Sequence, residues 1–175
     1  MRELLSAKDI QTRVCELAQE IDEAYQERQP VLVGIMKGSL HFLSDLSRNL
    51  KVDHTLEFLR ASTYPSGSSP EPETTVESWS GFDVTGKEVL VVDDILDRGM
   101  TAKAISGFLT AQSPRSVTWV FLVVKEGAVE RTGLRPEFIG FEIPNVWVVG
   151  YGMDYEERYR NLGGIQVYNP ELDSQ

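Results

Sequence analysis

The run KEVLVVDDILDRGMTAKAISGFLTA, residues 87–111, restricts the fold more than any other stretch of this chain. Val89, Leu90, Val91 and Val92 are consecutive and apolar, as in a strand buried on both faces. Two adjacent carboxylates, Asp93 and Asp94, close that run. A third, Asp97, follows, and then Gly99 and Thr101 open a helical pattern. A strand with no polar face needs cover above and below. Helices packed on both sides of a mainly parallel sheet supply that cover.

The rest of the chain repeats the alternation. Ile10, Val14, Leu17, Ile21 and Tyr25 recur every three to four residues, which predicts an amphipathic helix over about 7–27. PVLVGI (30–35) reads as a strand and GSLHFLSDLSRNL as the helix after it, while TLEFLRA (55–61) alternates like a strand. STYPSGSSPEPETT has three prolines and a glycine among small polar residues, a composition expected of a mobile loop. After a turn at Thr85-Gly86, EVLVV is a strand, GMTAKAISGFLTAQ a helix, and SVTWVFLVV, EFIGFEI and VWVVG three further strands. With no internal repeat and no linker, residues 1–175 read as one α/β domain. Ligands of such sheets bind outside the carboxyl ends of the strands. Those ends are expected to carry Met36-Lys37-Gly38, Asp93-Asp94, Lys125 and Gly150-Tyr151-Gly152.

Charge narrows the partners. A net charge of −10 opposes a surface that grips nucleic-acid phosphates, yet leaves room for a small anion, above all beside a divalent cation. The single cysteine, Cys15, excludes an internal disulfide and points to a reducing compartment. MRELLSAKDI has charges where a secretion signal needs an apolar stretch, and no run reaches membrane-spanning length. The expectation is a cytoplasmic protein with no membrane partner.

The acidic stretch itself admits three readings. DDILD matches the DDxxD text of prenyl diphosphate synthases, but there the aspartates share a helix face, and here VLVV precedes them directly. LVVDD also resembles the opening of a response-regulator receiver domain. That fold needs an aspartate at the end of the next strand, where this chain has Lys125. The third reading is a ribose 5-phosphate loop. Backbone N–H groups at the start of a helix suit a phosphate, and the carboxylates before them can accept hydrogen bonds from a ribose diol.

At this point the residues resemble the phosphoribosyl diphosphate (PRPP) motif of the type I phosphoribosyltransferases. GIMKGSLHFLSDL, STY before a flexible segment, VVKEG and GFEIPNVWVVGYGMDYEERYRNL narrow the resemblance to the hypoxanthine-guanine phosphoribosyltransferases. Taken singly, Trp147 reads as core, Lys125 as a surface lysine, and Asp154 and Arg160 as a charged face; their joint order supports the resemblance. It implies a small hood and a flexible active-site loop on the α/β fold, and transfer of phosphoribose from PRPP to hypoxanthine or guanine. The products would be IMP or GMP and pyrophosphate, with Mg²⁺ as cofactor and a homodimer or homotetramer as the assembly.

The resemblance also implies roles. Asp93 and Asp94 would meet the ribose hydroxyls, and Arg98, Gly99, Met100 and Thr101 the 5-phosphate. Asp97 would take a proton at purine N7. Lys37 and Gly38, beyond a cis Met36–Lys37 bond, would meet pyrophosphate with Arg160. Lys125 would read the 6-oxo group, Trp147 would stack on the purine, and Val148 would offer backbone to its edge. Thr63 and Tyr64 would begin the active-site loop, and Asp154 would hold magnesium with Asp93 and Asp94. Three positions depart from the family pattern: Asp93 stands where glutamate is usual, Arg98 where threonine is, and Pro65 where glycine is common. Two rival functions carry distinct expectations. A pyrimidine-operon regulator with uracil phosphoribosyltransferase activity would need a basic RNA-binding face, and a PRPP or nucleotide sensor would not need the Asp97, Lys37 and Lys125 set.

Overall fold

The computed structural model describes residues 1–64 and 73–173 of the chain. Its elements in order are β1 (Arg2–Leu5), α1 (Ala7–Ala24), β2 (Val31–Met36), α2 (Leu40–Asn49), β3 (Thr55–Tyr64), β4 (Glu73–Ser78), β5 (Glu88–Leu96), α3 (Met100–Ala111), β6 (Ser116–Lys125), α4 (Ala128–Thr132), β7 (Phe138–Ile143), β8 (Val148–Val149), β9 (Ile165–Val167) and α5 (Pro170–Asp173). Six strands form the main sheet in the order β4-β3-β2-β5-β6-β7. All neighbours pair in parallel except β4, which runs antiparallel to β3 along one edge. The mainly parallel α/β fold expected from the alternating runs is the fold observed.

Strand alternation splits the core into two layers. Leu32, Leu90, Val92, Val120 and Leu122 face α1 and α2, meeting Ile10, Val14, Leu17, Ile21, Phe42 and Leu46. Val31, Val33, Val89, Val91 and Phe121 face α3 through Ala102, Ile105 and Leu109. Removing such surfaces from water favours burial by about 25 cal/mol per Å², so both faces of β2, β5 and β6 are fixed by packing. The first helix starts where Ser6 and Asp9 cap each other: the Asp9 N–H donates to Ser6 Oγ at 3.2 Å, and the Ser6 N–H to Asp9 Oδ2 at 3.3 Å. It ends at Ala24, three residues before the predicted boundary.

Two expectations need correction. The segment read as loop up to Thr75 becomes strand β4 from Glu73, paired with β3 through Tyr64↔Glu73 to Leu59↔Ser78. Its polar alternation suits an edge strand with one wet face. The other concerns VWVVG. It contributes only the two-residue β8, which joins not the main sheet but a separate antiparallel sheet, β1-β9-β8. This small sheet, made from both ends of the chain, is the expected hood. Residues 65–72, the heart of the expected active-site loop, lie outside the described residues.

Candidate active site

Parallel strands all end on one side of the sheet, and the polar residues of β2, β5 and β6 collect there. Asp97 follows β5 directly and Lys125 ends β6, so their side chains meet across adjacent strands. Lys125 Nζ donates to Asp97 Oδ2 at 2.7 Å, and Arg131 Nη2 lies 3.7 Å from Asp97 Oδ1. Lys125 is 8% exposed, a buried lysine held by a carboxylate rather than a surface one. Arg131, unmarked in the sequence, comes from the short helix α4. That helix is bracketed by Gly127 and Gly133, and the two glycines were its only sequence signal.

The acidic pair lies inside β5, which runs two residues past the expected strand end, to Leu96. The Asp94 N–H donates to Asp93 Oδ1 at 3.0 Å, and Asp93 is 5% exposed. Burial, then the neighbouring Asp94 charge, pushes the Asp93 carboxyl well above the usual carboxylate range. Burial also raises Asp94, opposed by hydrogen bonds and by the Arg160 charge. A ribose diol offers such a pair the donors that its ionised form lacks.

Past Asp97 the chain turns through Gly99, whose φ of 74° is a left-handed conformation that glycine adopts without strain. A methyl at Gly99 would also strike the Thr132 side chain from α4. Helix α3 then starts with no side-chain cap. The first-turn N–H groups of a helix have no intrahelical acceptor, and with the helix dipole they favour an anion. Arg98 is exposed beside this turn, whereas Thr101 lies in its first turn.

On the other side of β5, the Met36–Lys37 peptide bond is cis. Gly38 packs so closely that a methyl group there would overlap the Asp94 carboxylate. Lys37 Nζ pairs with Glu157 Oε2 at 2.8 Å. Arg160 reaches Asp154 at 2.8 Å, Glu157 at 3.4 Å, and donates to the Gly152 carbonyl at 2.7 Å. The sequence named Lys37, Asp154 and Arg160 but missed Glu157, which links them.

Between sheet edge and hood lies a cleft of about 190 Å³, lined by Asp94, Ile95, Asp97, Lys125, Trp147, Val148, Met153 and Asp154. Trp147 is 53% exposed and meets Tyr155 edge-on, 5.7 Å between ring centroids, so its ring is no core residue. Val148 is buried in β8. Thr63 and Tyr64 end β3 next to this side of the sheet, paired through their backbone with Thr74 and Glu73. Among the described residues, no three His, Cys, Asp or Glu side chains converge to hold an ion by themselves. Of the three carboxylates expected on magnesium, Asp94 and Asp154 line the cleft and Asp93 is buried. A larger hollow of about 570 Å³ lies elsewhere, away from these strand ends, with Arg28–Glu88 and Gln29–Asp53 contacts in its wall.

Residues 2–156 match the family described as Phosphoribosyl transferase domain. The chain is 36% identical over 175 residues to the hypoxanthine-guanine phosphoribosyltransferase of Mycobacterium tuberculosis (strain H37Rv), covering 97% of this chain and 86% of that one. It is 38% identical over 161 residues to the hypoxanthine phosphoribosyltransferase of Escherichia coli K12, covering 91% and 90%. Among solved structures, a hypoxanthine phosphoribosyltransferase from Staphylococcus aureus superposes with a TM-score of 0.90 at 34% identity, covering 100% of this chain and 95% of that one.

Proposed function

The chain belongs to the phosphoribosyltransferase family and works in purine salvage by phosphoribosyl transfer; from that premise we propose how its residues divide the reaction. The substrates are PRPP and hypoxanthine or guanine. The C1–pyrophosphate bond of PRPP breaks, purine N9 bonds to C1, and IMP or GMP leaves with pyrophosphate. The contact that carries this reading is Lys125 against Asp97, 2.7 Å apart on the floor of the cleft. A purine presents its 6-oxo group and N7 side by side, an acceptor and a proton-bearing nitrogen. Lys125 has donors only and suits the oxo group, and the Asp97 carboxylate suits the N7 proton. Trp147 covers the ring, and Val148 offers backbone to its edge.

Asp93 and Asp94 accept from the ribose hydroxyls and hold the sugar while positive charge develops at C1. The turn from Arg98 to Thr101 holds the 5-phosphate. Lys37, Gly38 and Arg160 receive the departing pyrophosphate. Asp154 and Asp94 are oxygen donors in one cleft, fitting a magnesium ion that also binds substrate oxygens and water, since Mg²⁺ seldom relies on an all-protein cage. Bound there, the ion would neutralise charge on the leaving pyrophosphate. The protein would act in the cytoplasm as a homodimer or homotetramer. No helix among the described residues is long and apolar enough to cross a membrane. An RNA-binding regulator is disfavoured by the charge of −10 and by the purine names of the relatives.

Incubation with PRPP and Mg²⁺ plus hypoxanthine, guanine, xanthine, adenine or uracil in turn tests the assignment. IMP and GMP should form rapidly and AMP and UMP hardly at all. UMP as the main product would overturn it.

A further inference from the structure

The two cations assigned above to pyrophosphate are not free. Glu157 bridges them, with Oε2 2.8 Å from Lys37 Nζ and Oε1 3.4 Å from Arg160 Nη2. Lys37 and Glu157 are 120 residues apart in the chain, so this is no accident of helical spacing. The backbone that carries Glu157 is fixed in a turn. The Glu157 N–H donates to Asp154 Oδ2 at 2.8 Å, and Tyr155 and Arg158 form an isolated antiparallel bridge around it. Glu156 and Glu157 take φ values of 51° and 65°, left-handed conformations uncommon for residues other than glycine.

We propose that Glu157 is a built-in occupant of the pyrophosphate subsite, an internal anion that an incoming diphosphate displaces from Lys37 and Arg160. The inference rests on the pyrophosphate role given to those two residues. Lys37 and Arg160 are like charges, and while Asp154 pairs with Arg160 alone, Glu157 is the carboxylate they share. Its hold is weak by design. Glu157 is 64% exposed and Lys37 58%, and ion pairs so open to water are weak. Arg160 is also incompletely matched, since its Nε is buried without a hydrogen-bond partner. A ligand with several negative charges and a bound magnesium ion outcompetes a single exposed carboxylate. When pyrophosphate leaves, Glu157 closes on the cations again. Glu157 thus sets how tightly PRPP and pyrophosphate are held, without touching the reacting atoms.

Calorimetric titration of Mg-pyrophosphate into the full-length protein and into Glu157→Gln and Glu157→Ala tests this. Both variants should bind Mg-pyrophosphate about three- to tenfold tighter, the range for removing one or two exposed ion-pair competitors. Glu156→Gln makes the same change of net charge next door, where no ion pair is formed, and should bind like the parent. IMP, whose phosphate uses the turn at Gly99, should bind all four proteins alike. Melting temperatures verify that each variant is folded. Unchanged or weaker pyrophosphate affinity in folded Glu157 variants overturns the proposal and leaves the subsite assignment standing. Equal tightening in Glu156→Gln, or for IMP, also overturns it, because the effect would then be general charge. A parent protein that binds no Mg-pyrophosphate brings down the subsite assignment and this proposal together.

Discussion

Lys125 and Asp97 hold each other at 2.7 Å, one closing β6 and the other one residue beyond β5. Each is thereby the other's partner, and a base must satisfy both when it enters the cleft. A 6-oxopurine can do so. Adenine places a donor amino group opposite the ammonium, and an unmatched buried charge is a strong ground for rejection.

Lys125→Ala should therefore lose most of its kcat/KM for hypoxanthine and guanine, by about 100-fold or more, while its low value for adenine changes much less. The measured quantity is the hypoxanthine-to-adenine ratio of kcat/KM in both proteins. A ratio that does not move would assign base choice to another residue.

For Asp97→Asn, turnover should fall by about 10²–10⁴-fold, the usual worth of a general base. Asparagine keeps the shape beside Lys125 and Arg131 but cannot take the N7 proton. PRPP affinity, measured by calorimetry, should stay within a few-fold. Lost PRPP binding with normal turnover at saturation would instead make Asp97 a ribose ligand.

What could be read from the sequence depended on how its signals were distributed. The β5 strand, the acidic pair, Asp97 and the α3 turn fall within one run of residues, so local periodicity and chemistry pointed to the same place. Lys125 was findable because a strand end is a position the apolar run itself defines. Arg131 and Glu157 were not, since each matters only through a partner brought close by folding, Asp97 for one and Lys37 for the other. The edge strand β4 hid behind a polar composition that also describes loops. The two residues of β8 belong to the hood because β9 pairs with them, and that pairing crosses a stretch without period. Burial of Asp93 was equally invisible, because charge in a sequence says nothing of depth.

Gly38→Ala tests the closest approach in the site. The added methyl would overlap the Asp94 carboxylate, which lies within β5 between Asp93 and Ile95, both paired with β6. Something must shift, and overpacking of this kind costs about 1–3 kcal/mol. If Asp94 moves off the ribose, KM for PRPP should rise by about tenfold or more while KM for hypoxanthine changes little. Unchanged PRPP kinetics and an unchanged melting temperature would show that the loop relaxes freely.

Asp93 allows a test in which stability and function move in opposite directions. Its carboxyl is held well above the usual range by burial and then by Asp94, so the folded protein keeps its proton to a higher pH than the unfolded chain does. Below the ordinary aspartate range both states are protonated and the residue is neutral to stability. As pH rises from there through the elevated folded value, the unfolded chain ionises first, and stability falls. Asp93→Asn removes that penalty and keeps an oxygen to accept the Asp94 N–H. The variant should be more stable than the parent at pH 7.5 by about 0.5–2 kcal/mol, a common gain when a functional strain is relieved. The advantage should shrink towards zero near pH 4, and affinity for PRPP should drop because one acceptor for the ribose diol has lost its charge. Urea unfolding at the two pH values, with a PRPP titration, reads all three effects. A variant less stable than the parent at pH 7.5 would mean that the ionised Asp93 is a net support of the fold, contrary to the cost inferred from its burial beside Asp94.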